Sequence, residues 1–226
     1  MSYVKIVIKR LVAYAIDILI VSMISSLITS NTLINKDFNK YMDTYEKYEE
    51  VVDKYEDDKE ALNDALEYEA ITDDEYDIKL EELNETFDKD NVNYNYKLIK
   101  LSIVSTIVSI LVILLYFVVI QYYFNGQTVG KKIMKLRVVS NSSKKLNILN
   151  YLFRSLILNS VLINTLSIIM VFALSKNNYL IYNEIIYVVN YIIEMAIIFM
   201  MGFNKDNRGL QDYVANTKVI YEGEEV

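Results

Sequence analysis

Apolar and polar positions along this chain separate into long blocks. Four segments are apolar over the roughly 20 residues that a helix needs to cross a hydrocarbon layer about 30 Å thick. They run from about Ile6 to Thr29, Leu98 to Phe124, Ile148 to Leu174 and Leu180 to Phe203. The second contains the unbroken run IVSTIVSILVILLYFVVI. A soluble bundle would keep a polar stripe on each helix, but the second and fourth segments are apolar nearly all round. The pattern predicts an all-α, polytopic membrane bundle of four transmembrane helices. The first segment has the basic start of a signal peptide, but Asp17 interrupts it and no A-x-A site follows, so it is expected to remain as an anchor.

Between the first two spans the period changes. Tyr41, Tyr45, Tyr48, Val52, Tyr55, Leu62 and Leu66 recur mainly at alternating spacings of four and three, a heptad-like seam. Tyr76, Leu80, Leu83 and Phe87 continue it. Thr72 and Glu75 form a capping-box pair between the two runs. Two antiparallel helices are expected, about 39–70 and 73–89, as an inserted hairpin. The domains expected are therefore the first span (1–30), the hairpin (31–97) and the remaining three spans with their loop and tail (98–226).

Charge fixes the orientation. The chain carries a net charge of −7 although 53% of it is apolar. Of its 30 carboxylates, 22 lie between residues 36 and 90 beside seven lysines, so that window alone carries −15. Elsewhere basic residues dominate: Lys5, Lys9 and Arg10, then Lys131, Lys132, Lys135, Arg137, Lys144 and Lys145, then Lys205, Arg208 and Lys218. With four spans these clusters share one side, which the positive-inside rule makes cytoplasmic. A cell-membrane protein with both termini cytoplasmic and an extracytoplasmic acidic hairpin is predicted. The hairpin reads as a solvated pair with its own tyrosine core, or as a docking surface for a partner. The abundance of Ile, Asn, Lys and Tyr reads as the codon bias of an AT-rich bacterial genome.

Several chemistries drop out. There is no cysteine and no histidine, which removes disulfides, thiolates, zinc sites and every triad or dyad that uses imidazole. No D-x-D-x-D-G run suggests a calcium loop. Gly126, Gly130 and Lys131 fall one residue short of a phosphate loop, and no strand precedes them. The basic loop is short and flanked by membrane, which argues against nucleic acid. No enzyme, metal or cofactor is expected. Lys131, Lys132, Lys135 and Arg137 are expected at lipid phosphates of the bilayer. KLRVVS and TKVIY have strand composition and could pair into a small ribbon.

The remaining candidates are charges within the spans. Asp17 lies almost two helical turns from Arg10, on the same face. A charge at mid-membrane costs about 2.5–3.5 kcal/mol even on insertion scales. Asp17 must therefore be protonated, paired or facing a polar cavity. Arg154, in the third span, is the favoured partner, and Arg208 the second. Asp17, Asn190 and Glu194 are candidates for a path for a monovalent cation or proton, and a fixed polar lock between helices is the alternative. Arg208 and Asp212 are four apart and could pair on one helical face.

KRLVAYAID, GQTVGKKIMKLRVV and RGLQDYVANTKVI together, in this order, resemble the RDD family of membrane proteins. The family is named for one arginine and two aspartates, which by motif position fall on Arg10, Asp17 and Asp212. The chain departs from the family pattern at Gln211, where a histidine is frequent, and at Ala215, Asn216 and Thr217, where A-G-T is. The resemblance implies a polytopic bacterial membrane protein of largely unassigned function. Transport is a common suggestion for the family, and cation/proton antiport has been proposed for some members. Four spans are few for a transporter, so that role would require a homo-oligomer or a membrane partner. The other expectation is a non-catalytic scaffold or accessory subunit that docks a partner through the hairpin.

Overall fold

A computed structural model describes residues 2–142 and 145–224, and the side chains from Ile6 onward within the first helix. Lys144 and the Lys5 side chain, counted above in the basic clusters, lie outside the described residues. The chain divides into two compact units, one of residues 1–30 and 105–226, the other of residues 31–104.

In the larger unit, α1 (Ser2–Thr29) and α4 (Ile103–Leu114) supply the first two apolar helices. α4 runs through a π-helical turn, Leu115–Ile120, into α5 (Gln121–Tyr123). A short helix α6 (Val129–Ile133) and strand β1 (Leu136–Ser140) follow. Then come α7 (Ile148–Leu158), α8 (Val161–Ala173) and α9 (Lys176–Phe203). α10 (Leu210–Val214) and β2 (Thr217–Tyr221) complete the unit. β1 and β2 pair antiparallel, with Leu136 opposite Tyr221 and Ser140 opposite Thr217, so the expected ribbon ties the middle loop to the tail.

Ile6–Thr29, Ile103–Tyr123 and Lys176–Phe203 are long and apolar enough to cross a membrane. The third predicted span is not one straight helix: α7 and α8 meet at 65°, and the count reaches four only if this bent pair is a single span. The break has a local cause. Ser160 takes a left-handed conformation (φ 52°), which interrupts the helical ladder. The Leu158 carbonyl, released at the break, accepts from the Tyr14 hydroxyl at 3.1 Å. Asn159 donates to the Ser155 hydroxyl and Ser160 donates to Asn190, so side chains replace lost backbone bonds.

Two apolar clusters hold this unit. Ile6, Val118, Leu136, Val138, Tyr151 and Val219 join the helices to the ribbon. Val21, Val112, Tyr116 and Phe117 pack α1 on α4 and its π-helical continuation. Gly126 (φ 87°) makes the sharp exit from α5, where any Cβ would run into the Val138 carbonyl. The Gly126 carbonyl accepts from Val138 N at 3.0 Å and from Gln121 Nε2 at 3.0 Å, which fixes β1 against the helix end.

The smaller unit is built on α2 (Phe38–Glu67) and α3 (Asp73–Leu101). Thr72 caps α3 and Glu75 reaches back to the Thr72 amide, the reciprocal pair expected there. Tyr48 bonds Asn91, Tyr55 bonds Asn84 and Tyr76 bonds Asn63. Later positions in α2 meet earlier positions in α3, so the helices run antiparallel. Tyr55 stacks on Phe87 with ring centroids 4.1 Å apart, and Tyr48 packs against Tyr94. The second helix is longer than its apolar seam suggests, reaching Leu101 rather than ending near Lys89.

Candidate functional site: two buried carboxylates and a cavity

One face of α1 carries Arg10, Ala13, Asp17 and Val21, all buried. That face takes up both charges, but they do not serve each other. Asp17 is fully buried and is held by Tyr116 of the π-helical turn and by the segment after α5. Its Oδ1 accepts from the Tyr116 hydroxyl at 2.7 Å and from Gly130 N at 2.7 Å. Its Oδ2 accepts from the Thr128 hydroxyl at 2.5 Å and faces the Lys131 ammonium at 3.7 Å. Thr128 also caps α6, so the carboxylate sits on the free donors of that helix's first turn. Gly130 makes this approach possible. A Cβ there would overlap the Ala13 carbonyl and stand 3.0 Å from the Asp17 carboxyl carbon.

Asp212 is the second fully buried carboxylate. Arg10 donates to its Oδ2 at 2.5 Å, and Gly209 N and Gln211 Nε2 reach the same oxygen at 3.0 and 3.4 Å. Arg154 and the Thr217 hydroxyl donate to Oδ1, the latter at 3.2 Å. Arg10 also donates to the Asn207 carbonyl. α1, α7, α10 and β2 are thus fastened at one carboxylate. Burial pushes the Asp212 carboxyl up, but Arg154 and Arg10 outweigh it and hold the group below the usual carboxylate range.

This geometry corrects several expectations. Arg154 does not pair with Asp17; it is committed to Asp212, and Lys131 takes its place at Asp17. Arg208 pairs with neither carboxylate. It donates to the backbone carbonyls of Thr217 and Asp212 at 2.9 and 3.1 Å and lies 4.1 Å over the Tyr213 ring. Lys131 is not exposed on the bundle surface as an interfacial lysine would be; it is buried, because α6 packs against α1. Burial lowers its ammonium to about 8 in spite of Asp17. Lys132 and Lys135 are exposed, and Arg137 donates to the Glu224 carbonyl at 3.0 Å. Asn190 accepts from Ser160 and donates to Glu194 Oε1 at 2.7 Å. No hydrogen bond joins Asp17 to Glu194 among the described residues, and Glu194 is exposed.

Beside the Asp212 cluster lies a cavity of about 220 Å³. Arg10, Lys131 and Arg154 give it three cations, Glu194 one carboxylate, and Leu11, Leu158, Ile197, Ile198 and Met201 much of its apolar wall. The Nε of Arg154 is buried without a hydrogen-bond partner. An unmade bond of this kind costs about 1–3 kcal/mol, more for a charged group. Among the described residues no cluster of three Asp or Glu side chains could hold a metal ion.

The sequence reading missed Tyr116, Thr128, Gly130, Asn207 and Thr217 as parts of the two clusters. Thr128 and Gly130 lie inside the GQTVGKK motif, and Thr217 inside the last one. Tyr116 had the weaker signal of a polar tip within an apolar run. No curated protein and no solved structure matches the chain. The family model described as RDD family matches residues 6–216, nearly the whole length, and the chain belongs to that family.

Proposed function

We propose that the chain is a non-enzymatic, multi-pass membrane protein whose signature charges Arg10, Asp17 and Asp212 act as static locks around the cavity. The third of its four spans is the bent pair α7 and α8. Both termini and the basic loop are cytoplasmic, as the Lys and Arg clusters favour, and residues 31–97 are an extracytoplasmic hairpin. The protein serves as an accessory subunit, with the acidic helices offered to a partner. One observation carries this reading: each oxygen of Asp17 and Asp212 accepts from donors that are themselves fixed by helix ends, caps or buried cations. A carboxylate that couples ion movement must give up its partners in every cycle, and here each would leave a buried cation or helix end unpaired.

The test is a comparison of wild type and Asp17→Asn in proteoliposomes. The lock predicts a lower unfolding midpoint for the variant and no cation-driven proton flux in the wild type. Wild-type flux that disappears in an equally stable Asp17→Asn protein would sink the reading. A second reading, a cation or proton route along α9, draws on the Ser160–Asn190–Glu194 chain of hydrogen bonds beside the cavity. Loss of flux in Glu194→Gln would favour it.

A further inference from the structure

The cavity has a polarity that the locks leave unused. Arg10, Lys131 and Arg154 line it, and the carboxylates they pair with, Asp17 and Asp212, stand behind the wall. These five groups together keep one positive charge. The Lys131 side chain lines the cavity, and its ammonium has one close hydrogen bond, to Thr128 at 3.2 Å. It keeps N–H donors for an added anion, and the Arg154 guanidinium in the same lining supplies a second positive charge. The mouth has the opposite sign. Glu194 lines it and is exposed, and it accepts from Asn190 through Oε1.

The mouth also opens beside exposed apolar side chains. Leu11 on α1 and Ile198 on α9 line the cavity while remaining 39% and 45% exposed. Both helices are long and apolar enough to span a membrane. The cavity stands at the end of these helices that carries the ribbon, since Leu136 and Val219 close it. On the four-span reading proposed above, that is the level at which lipid headgroups lie. About 220 Å³ is small for a whole ligand of drug size, whose sites run to roughly 300–1,000 Å³. It suits a headgroup whose chains remain in the bilayer.

We propose that this cavity binds the phosphoethanolamine headgroup of a phospholipid entering between α1 and α9, its phosphodiester at Arg154 and Lys131 and its ammonium at Glu194. A phosphodiester carries one negative charge and cancels the interior excess. The primary ammonium carries one positive charge and three N–H donors, which answer Glu194. A choline headgroup has the same charges but no N–H to donate. A glycerol headgroup has no cation for Glu194. The proposal rests on the reading of the two locks as static walls.

Full-length protein is reconstituted in nanodiscs of equal parts phosphatidylethanolamine, phosphatidylglycerol and phosphatidylcholine, then extracted into detergent, and retained lipid is quantified by mass spectrometry. Wild type is expected to retain phosphatidylethanolamine several-fold over the other two. Leu158→Trp and Ile198→Trp, which fill the depth and the mouth, should each lose that lipid. Glu194→Gln should keep phospholipid but lose the head preference. Inorganic phosphate at millimolar concentration should not displace the lipid, because a free phosphate lacks the ammonium and the chains. Equal retention by wild type and both tryptophan variants overturns the proposal, as does an unchanged preference in Glu194→Gln or displacement by phosphate. If the lock reading were wrong instead, the failure would appear as coupled ion flux, which this lipid assay does not measure.

Discussion

Asp212→Asn isolates the larger lock. The substitution keeps the shape of the side chain and removes its charge. Five donors converge on the native carboxylate: Arg10, Arg154, Gly209 N, Gln211 and Thr217. Arg10 and Arg154 are 8% and 4% exposed, so neither can turn to water when the anion is lost. Breaking a buried pair by removing one partner costs about 3–5 kcal/mol, because the remaining charge is left uncompensated. At about 1.4 kcal/mol per factor of ten, that is roughly two to nearly four orders of magnitude in the unfolding equilibrium. The Asn amide NH₂ would also point a donor at one of the guanidinium groups. The assay is denaturant or thermal unfolding of the purified protein in detergent, beside Arg154→Gln and the double variant. The double variant should be less unstable than the two single effects added together, since it removes an orphaned cation with its anion. The pH dependence has a definite sign. The folded carboxyl is held below its unfolded value, so its stabilisation is complete above the ordinary carboxylate pKa of about 3.9 and is lost as pH falls through the folded value. An Asp212→Asn protein within about 0.5 kcal/mol of wild type would refute the claim that this carboxylate fastens four elements.

The smaller lock gives three further tests. Gly130→Ala places a methyl against the Ala13 carbonyl and should destabilise by about 1–3 kcal/mol, read by the same unfolding assay; a neutral effect would mean that α6 can lift from α1 freely. Tyr116→Phe removes the 2.7 Å bond to Asp17 and should cost about 1.5–3 kcal/mol, the range for bonds to charged groups, with little change in helix content by circular dichroism. Lys131 should lose its proton near about 8, seen by ¹⁵N-lysine NMR in micelles; a midpoint at the ordinary lysine value would contradict its burial. Because its folded value is lowered, Lys131 weakens the fold most below about 8, and stability should rise with pH from there to its unfolded value of 10.5.

What the sequence made legible depended on whether a property is local. Apolar length is local, and the spans stood out for that reason. The capping pair Thr72 and Glu75 was legible because both partners lie within one turn, and the ribbon because each strand carries its own β-branched run. The bend in the third span was less legible. Asn159 and Ser160 are polar residues in an apolar stretch, but only the Tyr14 and Asn190 side chains from other helices make the break tolerable. The tyrosine seam of the smaller unit was visible as a period, whereas its pairing to Asn84 and Asn91 required the register between two helices.

The exchange of partners at Asp17 turns on the same distinction. Hydropathy gives the depth of a residue along a span, and by depth Arg154 suited Asp17 well. It does not give the neighbour at that depth, because this depends on how closely backbones approach. Gly130 has no side chain, so α6 comes within hydrogen-bond distance of α1, and Tyr116, Thr128, Gly130 N and Lys131 occupy the oxygens of Asp17 in place of an arginine from α7. Arg154 then meets Asp212, which Gly209 N holds in place from the N-terminus of α10. A glycine in the middle motif therefore permits the close approach that brings Lys131 to Asp17, since a side chain there would collide with the Ala13 carbonyl. Its place in the hydropathy pattern does not show this.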